Sequence, residues 1–123
     1  AGFAGVVFGH GSVDPYSPKA LRAMQGSQFH LTTTTGDLTD WTASFTQNGM
    51  NVYGTQLDPE AADVFKVPAQ TQFALIMGNE GQGMQPELAH MTTQNLYIPI
   101  SGQAESLNVA VAAGVAMFAL KAR

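Results

Sequence analysis

The chain has 123 residues, 45% of them hydrophobic and 11% charged, and its five Lys and Arg against nine Asp and Glu give a net charge of −4. This composition excludes a disordered chain. The negative net charge excludes a fragment that binds nucleic acid strongly on its own. The absence of cysteine excludes disulfides, thiolate metal sites and cysteine nucleophiles, and it is compatible with the reducing cytoplasm, where we expect the protein. The longest apolar stretch, residues 109–120, is too short to span a membrane.

Short apolar runs predict strands, and capped apolar periodicities predict helices or helical turns. The predicted strands lie at residues 3–8, 28–32, 50–54, 73–77 and 95–100. The predicted helical segments lie at residues 17–26, 37–48, 58–60, 86–90 and 106–121. Trp41 has helical spacing to Leu38 and Phe45, so we expect its side chain to face the core. Because strands alternate with helices, the sequence predicts an α/β fold with a mostly parallel sheet and helices on both faces.

Two polar loops follow predicted strands, where ligands bind in open parallel sheets. The first, residues 78–84, contains three glycines, which permit a left-handed backbone and a close approach to a ligand. A tight crossover without a ligand is the alternative interpretation. The spacing excludes a phosphate-binding loop of the Gly-x-x-x-x-Gly-Lys type and a dinucleotide fingerprint. The second loop places Ser106 and Asn108 at a helix start, where both have an alternative role as helix caps.

The two loops together carry a family resemblance. Residues 77–84 read MGNEGQGM, residues 98–100 read IPI and residues 105–112 read ESLNVAVA. This pair resembles motifs two and three of the SpoU/TrmH family, the RNA ribose 2'-O-methyltransferases of the SPOUT superfamily. The resemblance implies an α/β domain with a deep C-terminal trefoil knot, a homodimer, and S-adenosylmethionine bound within the knot.

The resemblance also implies roles for individual residues. The positions that match the family's cofactor contacts, largely through backbone groups, are Gly78, Ile98, Ile100 and Leu107. The positions that match polar residues organising the acceptor ribose and the catalytic arginine are Glu80, Ser106 and Asn108. We expect Glu80 to orient groups at the site and not to act as the base.

One motif of the family has no counterpart. The first motif, with its Asn and Arg, would lie upstream of Ala1, and neither Arg22 nor Arg123 matches that arginine. We therefore expect residues 1–123 to be a single SpoU-type domain that lacks its first strand and helix and any RNA-binding domain. On this expectation the chain is inactive by itself.

Other chemistry is not expected. His10, His30 and His90 have no metal-ligand spacing, so no metal site is predicted, and Ser106 lacks the Gly-x-Ser-x-Gly frame of a hydrolase. The predicted function is methyl transfer from S-adenosylmethionine to a ribose 2'-hydroxyl of structured RNA, ribosomal RNA (23S) being favoured over tRNA. The alternative is a catalytically silent RNA-binding or assembly module that keeps the knot. A third interpretation, an α/β domain without a small ligand, requires the pairing of the motifs to be coincidental.

Overall fold

Strands and helices alternate along the chain in the computed structural model, which describes residues 1–9, 16–19, 22, 31–55, 58–78, 83–101 and 107–122. The chain forms two units, one of residues 2–41 and one of residues 42–123 together with Ala1. Among the described residues the strands are β1 (Gly5–Phe8), β2 (Thr32–Thr35), β3 (Asn51–Gly54), β4 (Ala62–Asp63), β5 (Phe73–Leu75) and β6 (Gln94–Tyr97). The helices are α1 (Leu38–Gln47), α2 (Pro86–Met91) and α3 (Val109–Leu120), with a 3-10 turn at Val64–Lys66.

In the first unit, β1 and β2 form a parallel pair in which Gly5 lies opposite Thr32 and Phe8 lies opposite Thr35. The second strand was predicted at residues 28–32, but the structure places it at the four threonines, because β-branched side chains favour extended backbone. Residues 28–30 lie outside the described residues. The first strand lies within its predicted range, at Gly5–Phe8, and its Val6 is 38% exposed.

The predicted helix at residues 17–26 lies largely outside the described residues. Pro18, Lys19 and Arg22 are helical, as predicted, and the expected end at Gly26 is not among the residues that the structure describes. Pro18 suits the first helical position because an amide hydrogen at that position has no partner within the helix. Proline, which lacks this hydrogen, therefore loses no hydrogen bond there.

Helix α1 has the boundaries that its capping residues predict. The Asp37 carboxylate accepts a hydrogen bond from the Thr39 amide at 2.8 Å, which satisfies one of the free amides of the first turn. At the other end Gly49 has a φ of 81°, the left-handed conformation that ends many helices.

The expectation that Trp41 faces the core was wrong. The Trp41 side chain is 37% exposed. Its Nε1 lies 2.9 Å from the position that a Cβ atom on Gly36 would occupy. The indole therefore packs back over the preceding turn, which the missing side chain at Gly36 permits. The buried residue of α1 is its neighbour Thr42, which is 2% exposed.

The second unit contains a four-stranded sheet in the order β4-β6-β3-β5, in which every pair is parallel. Tyr53 of β3 lies opposite Leu75 of β5 on one side and Gln94 of β6 on the other. The chain therefore crosses over β3 between β5 and β6, and α2 lies in this crossover. The mostly parallel α/β architecture predicted from the sequence is confirmed.

The core of this unit forms between the sheet and α3. Its buried members are Tyr53, Val64, Leu96, Ala116 and Leu120. Helix α3 contains no charged residue, and Leu120, near its end, is fully buried. The chain after α3 pairs with the segment before β5, since the Gln70 amide donates to the Leu120 carbonyl oxygen at 2.7 Å and the Gln70 carbonyl oxygen accepts from the Ala122 amide at 2.8 Å. Burial of such apolar side chains contributes about 1.5 to 3 kcal/mol each.

Two strands end earlier than the sequence predicted, and one was missed. β5 ends at Leu75 and not at residue 77, and β6 ends at Tyr97 and not at residue 100. Pro99 has no amide hydrogen to extend the ladder.

β4 and the 3-10 turn after it were not predicted, because two residues carry no periodic signal. There the Asp63 carboxylate accepts from the Phe65 amide at 2.9 Å and so starts the turn.

Candidate functional site

The carboxyl ends of β3, β5 and β6 lie at one edge of the four-stranded sheet, and both predicted loops leave from this edge. β3 lies between the other two strands, so the segments after β5 and after β6 flank the segment after β3. Crevices outside the carboxyl ends of parallel strands are the usual ligand sites of such sheets. The edge therefore places Gly78 and Ile98, which begin the two loops, on either side of the segment after β3.

Gly78 marks the point where the glycine-rich loop closes on itself. A Cβ atom on Gly78 would lie 2.7 Å from the Gly83 carbonyl carbon and 2.8 Å from the Met84 nitrogen, closer than backbone atoms permit. Gly83 has a φ of 67°, in the left-handed region that favours glycine. The first and last residues of the loop are thus in direct contact. Glu80, predicted to be catalytic, lies outside the described residues.

Thr55 joins the end of β3 to this loop. Its hydroxyl donates to the Ile76 carbonyl oxygen at 3.0 Å and accepts from the Gly78 amide at 3.2 Å. Its own amide donates to the Met84 sulfur at 3.3 Å, and Met84 is 5% exposed. One residue therefore contacts both ends of the glycine-rich loop. Thr55 was not predicted from the sequence, where the only available signal is a hydroxyl residue directly after a strand at the carboxyl edge.

The segment after β6 carries apolar side chains on a backbone without strand assignment. Ile98 packs against the core formed by Leu96 and Leu120, and Ile100 is half-buried, whereas Pro99 between them is exposed. The segment lies outside the strand ladder. Backbone groups that are not paired in the sheet require another partner, such as water or a ligand.

The start of α3 holds the remaining predicted residues. The Asn108 side-chain oxygen accepts from the Ala110 amide at 2.9 Å and from the Val111 amide at 3.3 Å, so the capping role considered for Asn108 is confirmed. Leu107 precedes this cap and is 37% exposed. Ser106 lies outside the described residues.

The charge of the three segments limits the ligands that this edge can hold. Residues 55–61, 76–85 and 98–108 contain no Lys, Arg or His, and their acidic residues are Asp58, Glu60, Glu80 and Glu105. By sequence, these segments carry no cationic side chain that could pair with a phosphate group. A neutral or cationic ligand fits this charge.

A second feature of this unit is a cavity of about 550 Å³, lined by residues 58–60, 89–90 and 92–95. Its polar lining is already hydrogen-bonded within itself. The Asn95 side-chain amide donates to the Asp58 carboxylate at 3.2 Å and to the Ala89 carbonyl oxygen at 3.1 Å. The Gln94 side-chain amide donates to the Glu60 carbonyl oxygen at 2.9 Å. These bonds hold the turn after β3 against the end of α2.

Burial raises the pKa of the Tyr53 phenol from its usual 10.0, and the hydrogen bond with Asn51 partly opposes this effect. Tyr53 therefore stays protonated at neutral pH and supplies no base to the edge. In the described ranges we find no group of three or more His, Cys, Asp or Glu side chains that could hold a metal ion. None of the helices in the same ranges has the length and hydrophobicity needed to cross a membrane.

Comparison with known proteins identifies a matching family model and several relatives of similar sequence. Residues 1–118 match the model of the SpoU rRNA methylase family. The 23S rRNA (guanosine(2553)-2'-O)-methyltransferase RlmP of Bacillus subtilis is 43% identical over 98% of the chain, which spans 48% of that protein. The tRNA (guanosine(18)-2'-O)-methyltransferase of Aquifex aeolicus is 34% identical over 60% of the chain, which spans 35% of it.

A solved structure shows the same fold. The AdoMet-bound rRNA methyltransferase of Sinorhizobium meliloti superposes with a TM-score of 0.86 at 29% identity, over 97% of this chain and 46% of that one. The chain thus spans about half the length of RlmP and of the Sinorhizobium meliloti enzyme.

Proposed function

Since the chain belongs to the SpoU rRNA methylase family, we propose that it is the cofactor-binding part of an enzyme that transfers a methyl group from S-adenosylmethionine to a ribose 2'-hydroxyl of RNA. The observation that carries this proposal is the match to RlmP at 43% identity over 98% of the chain, which includes both loops of the sheet edge. A chance pairing of two short motifs does not account for similarity along the whole chain.

The residues of the edge fit the cofactor. Gly78, Ile98, Ile100 and Leu107 are proposed to hold S-adenosylmethionine through backbone groups outside the ladder, with the isoleucine side chains against its apolar surface. The cofactor, when bound, supplies a methyl group on a positively charged sulfur. The absence of cationic residues from the three segments that leave the edge supports this assignment, because a cation there meets no like charge.

Three residues are proposed to arrange the RNA ribose, namely Glu80, Ser106 and Asn108. The contacts of Asn108 restrict what it can do. Its oxygen already accepts two hydrogen bonds from the first turn of α3, so only its amide hydrogens remain to contact a ligand. Asn108 can therefore orient an acceptor atom but cannot remove the proton from a hydroxyl. Methyl transfer depends strongly on such positioning.

The proposed substrate is ribosomal RNA (23S), in the cytoplasm. The ribosomal RNA enzyme RlmP is 43% identical over 98% of the chain, against 34% over 60% for the tRNA enzyme of Aquifex aeolicus, which supports this choice. The net charge of −4 gives the chain little attraction for RNA phosphates. We therefore propose that most of the RNA contact comes from residues outside this chain.

We also propose a homodimer that covers α3, and a C-terminal trefoil knot around the cofactor site. One face of α3 leaves Val111 and Phe118 exposed by 54% and 62%. The two residues are seven apart, so they share one side of the helix. Because α3 contains no charged residue, this exposed face is apolar, and a second copy of the chain would remove it from water.

The test is isothermal titration of the full chain with S-adenosylmethionine, because residues 1–123 are expected to bind the cofactor but to transfer no methyl group without the first motif. We expect saturable binding to one site. Binding of RNA without binding of S-adenosylmethionine, in a folded protein, would contradict the proposal and favour the silent RNA-binding module.

A further inference from the structure

The cavity between the turn after β3 and the end of α2 shares no residue with the proposed cofactor site. It has a volume of about 550 Å³ and is lined by residues 58–60, 89–90 and 92–95. Cavities of about 300 to 1,000 Å³ hold ligands of small-molecule size. The cavity is therefore a separate candidate site, and the groups that line it decide which ligand it can take.

Hydrogen bonds hold both walls of the cavity in place. On the first wall the Glu60 amide donates to the Asp58 carboxylate at 2.8 Å, and the Glu60 carbonyl oxygen accepts from the Gln94 side chain at 2.9 Å. On the second wall the Ala89 carbonyl oxygen accepts from the Asn95 side-chain amide at 3.1 Å. The same amide donates to the Asp58 carboxylate at 3.2 Å, which ties the two walls together. A ligand would meet a preformed site, which lowers the cost of binding.

These bonds leave two side chains of the lining available. Glu60 and His90 are exposed, and within the part of the chain that the structure describes neither side chain has a hydrogen bond or an ion pair. The Glu60 carboxylate offers two acceptor oxygens, and the His90 imidazole offers an N–H donor. The described residues that line the cavity include no Lys or Arg, so the cavity offers no permanent positive charge to a phosphate group.

An acceptor pair and a donor distinguish guanine from the other bases of RNA. The Watson–Crick edge of guanine carries two adjacent N–H donors, at N1 and N2, beside the acceptor O6. A carboxylate can accept both hydrogens with its two oxygens, as it does from two N–H groups of an arginine. Adenine and cytosine present a single amino group on this edge, and uracil presents a single N–H. Guanine is therefore the base whose edge best matches a free carboxylate.

We infer that this cavity binds an unpaired guanine base of the RNA substrate, with Glu60 accepting from N1 and N2 and His90 donating to O6. The inference rests on the proposed function, which supplies the RNA. Because the cavity shares no residue with the proposed site of methyl transfer, the bound guanine is a neighbour of the methylated nucleotide and not that nucleotide itself. Such a contact selects RNA by its bases and not by its phosphates.

The ligand side of this inference is tested by NMR titration of the full chain with guanosine, inosine and adenosine. Inosine lacks only the 2-amino group of guanosine, and adenosine lacks both N–H donors and O6. We expect guanosine to shift the amide signals of Thr93, Gln94 and Asn95, inosine to bind about tenfold more weakly, and adenosine not to bind in the same range. Equal affinity for guanosine and inosine, or shifts that avoid the lining of the cavity, would overturn the inference.

The protein side is tested with Glu60→Gln and its matched control Glu87→Gln. Both substitutions remove one exposed carboxylate, but Glu87, in the first turn of α2, does not line the cavity. Glu60→Gln is expected to lower the affinity for guanosine about tenfold and to abolish the preference over inosine, because a side-chain amide has only one acceptor oxygen. Glu87→Gln should stay within about twofold of the wild type. Equal losses in the two variants, or an unchanged preference in Glu60→Gln, would overturn the inference.

His90→Ala gives an independent signature. Guanosine and inosine both carry O6, so this variant should bind both nucleosides more weakly and keep the ratio of their affinities. A changed ratio with an unchanged affinity for inosine would contradict the role given to His90.

Titration with S-adenosylmethionine separates this inference from the proposed function. Each variant should bind the cofactor like the wild type, because no residue of the lining belongs to the proposed cofactor site. Binding of the cofactor without binding of guanosine by the wild type would overturn the guanine site alone. Binding of guanosine without binding of the cofactor would contradict the proposed function and leave the guanine site standing. Loss of both ligands in Glu60→Gln would assign Glu60 a structural role and overturn the inference.

Discussion

Replacement of Gly78 by alanine tests the closed shape of the glycine-rich loop. The added Cβ atom would lie 2.7 Å from the Gly83 carbonyl carbon, and ordinary contact begins at 3.4 Å, so the two backbone segments must separate by about 0.7 Å. Half of that displacement along the bond between Thr55 and Gly78 would lengthen it from 3.2 Å to about 3.6 Å, which is no longer a hydrogen bond.

The energetic consequence follows from these two changes. One lost hydrogen bond costs about 1 kcal/mol, and overpacking costs about 1 to 3 kcal/mol. Because cofactor binding needs the loop in its original shape, we expect the dissociation constant of S-adenosylmethionine to rise about tenfold or more, at about 1.4 kcal/mol per factor of ten. Isothermal titration of the full chain and its Gly78→Ala variant measures this change.

The matched control is Gly5→Ala in the other unit. Its Cβ would lie 3.0 Å from the Thr32 carbonyl oxygen, so it also meets backbone, but in the β1–β2 pair. We expect Gly5→Ala to lower stability and to leave the affinity for the cofactor unchanged. Equal affinity of Gly78→Ala and the wild type for S-adenosylmethionine would refute the reasoning. Binding would then not depend on the close contact between the two ends of the loop.

Three further predictions concern other parts of the second unit. Asn108→Ala is expected to destabilise the protein by about 1 kcal/mol through loss of the α3 cap, while Asn108→Ser keeps the cap and most of the stability; equal losses in urea unfolding would contradict the capping role. Because burial raises the pKa of Tyr53 above 10.0, the folded state keeps a proton that the unfolded chain loses, so stability should fall above that pH. Urea unfolding at about pH 9 and 11 should show a smaller loss in Tyr53→Phe, and equal losses would contradict this. Phe118→Glu places a charge on the exposed face of α3 and should convert a dimer into monomers in analytical ultracentrifugation, whereas an unchanged mass would place the interface elsewhere.

The sequence predicted the sheet edge better than the contacts at that edge. Apolar runs identified β3, β5 and β6, and their alternation with helices predicted the parallel arrangement that brings Gly78 and Ile98 to one edge. The ends of β5 and β6 were predicted too late, because an apolar run continues past the last ladder bond. Hydrophobic side chains such as Ile98 pack on the core whether or not the backbone is in a strand.

The contact of Thr55 with Gly78 could not be predicted from local pattern. The two residues are 23 positions apart, and their bond depends on the register between β3 and β5. Trp41 shows a related difficulty, because helical spacing to Leu38 and Phe45 indicated a buried side chain. The turn at Gly36 instead leaves space for the indole, and only the folded chain shows that this space exists.

An NMR titration of the full chain with S-adenosylmethionine tests most directly whether the segments after β5 and β6 form one cofactor site. We predict that the amide signals of Gly78, Ile98, Ile100 and Leu107 shift together, with a single dissociation constant. Shifts confined to the cavity at residues 92–95, or to only one of the two segments, would contradict a shared site.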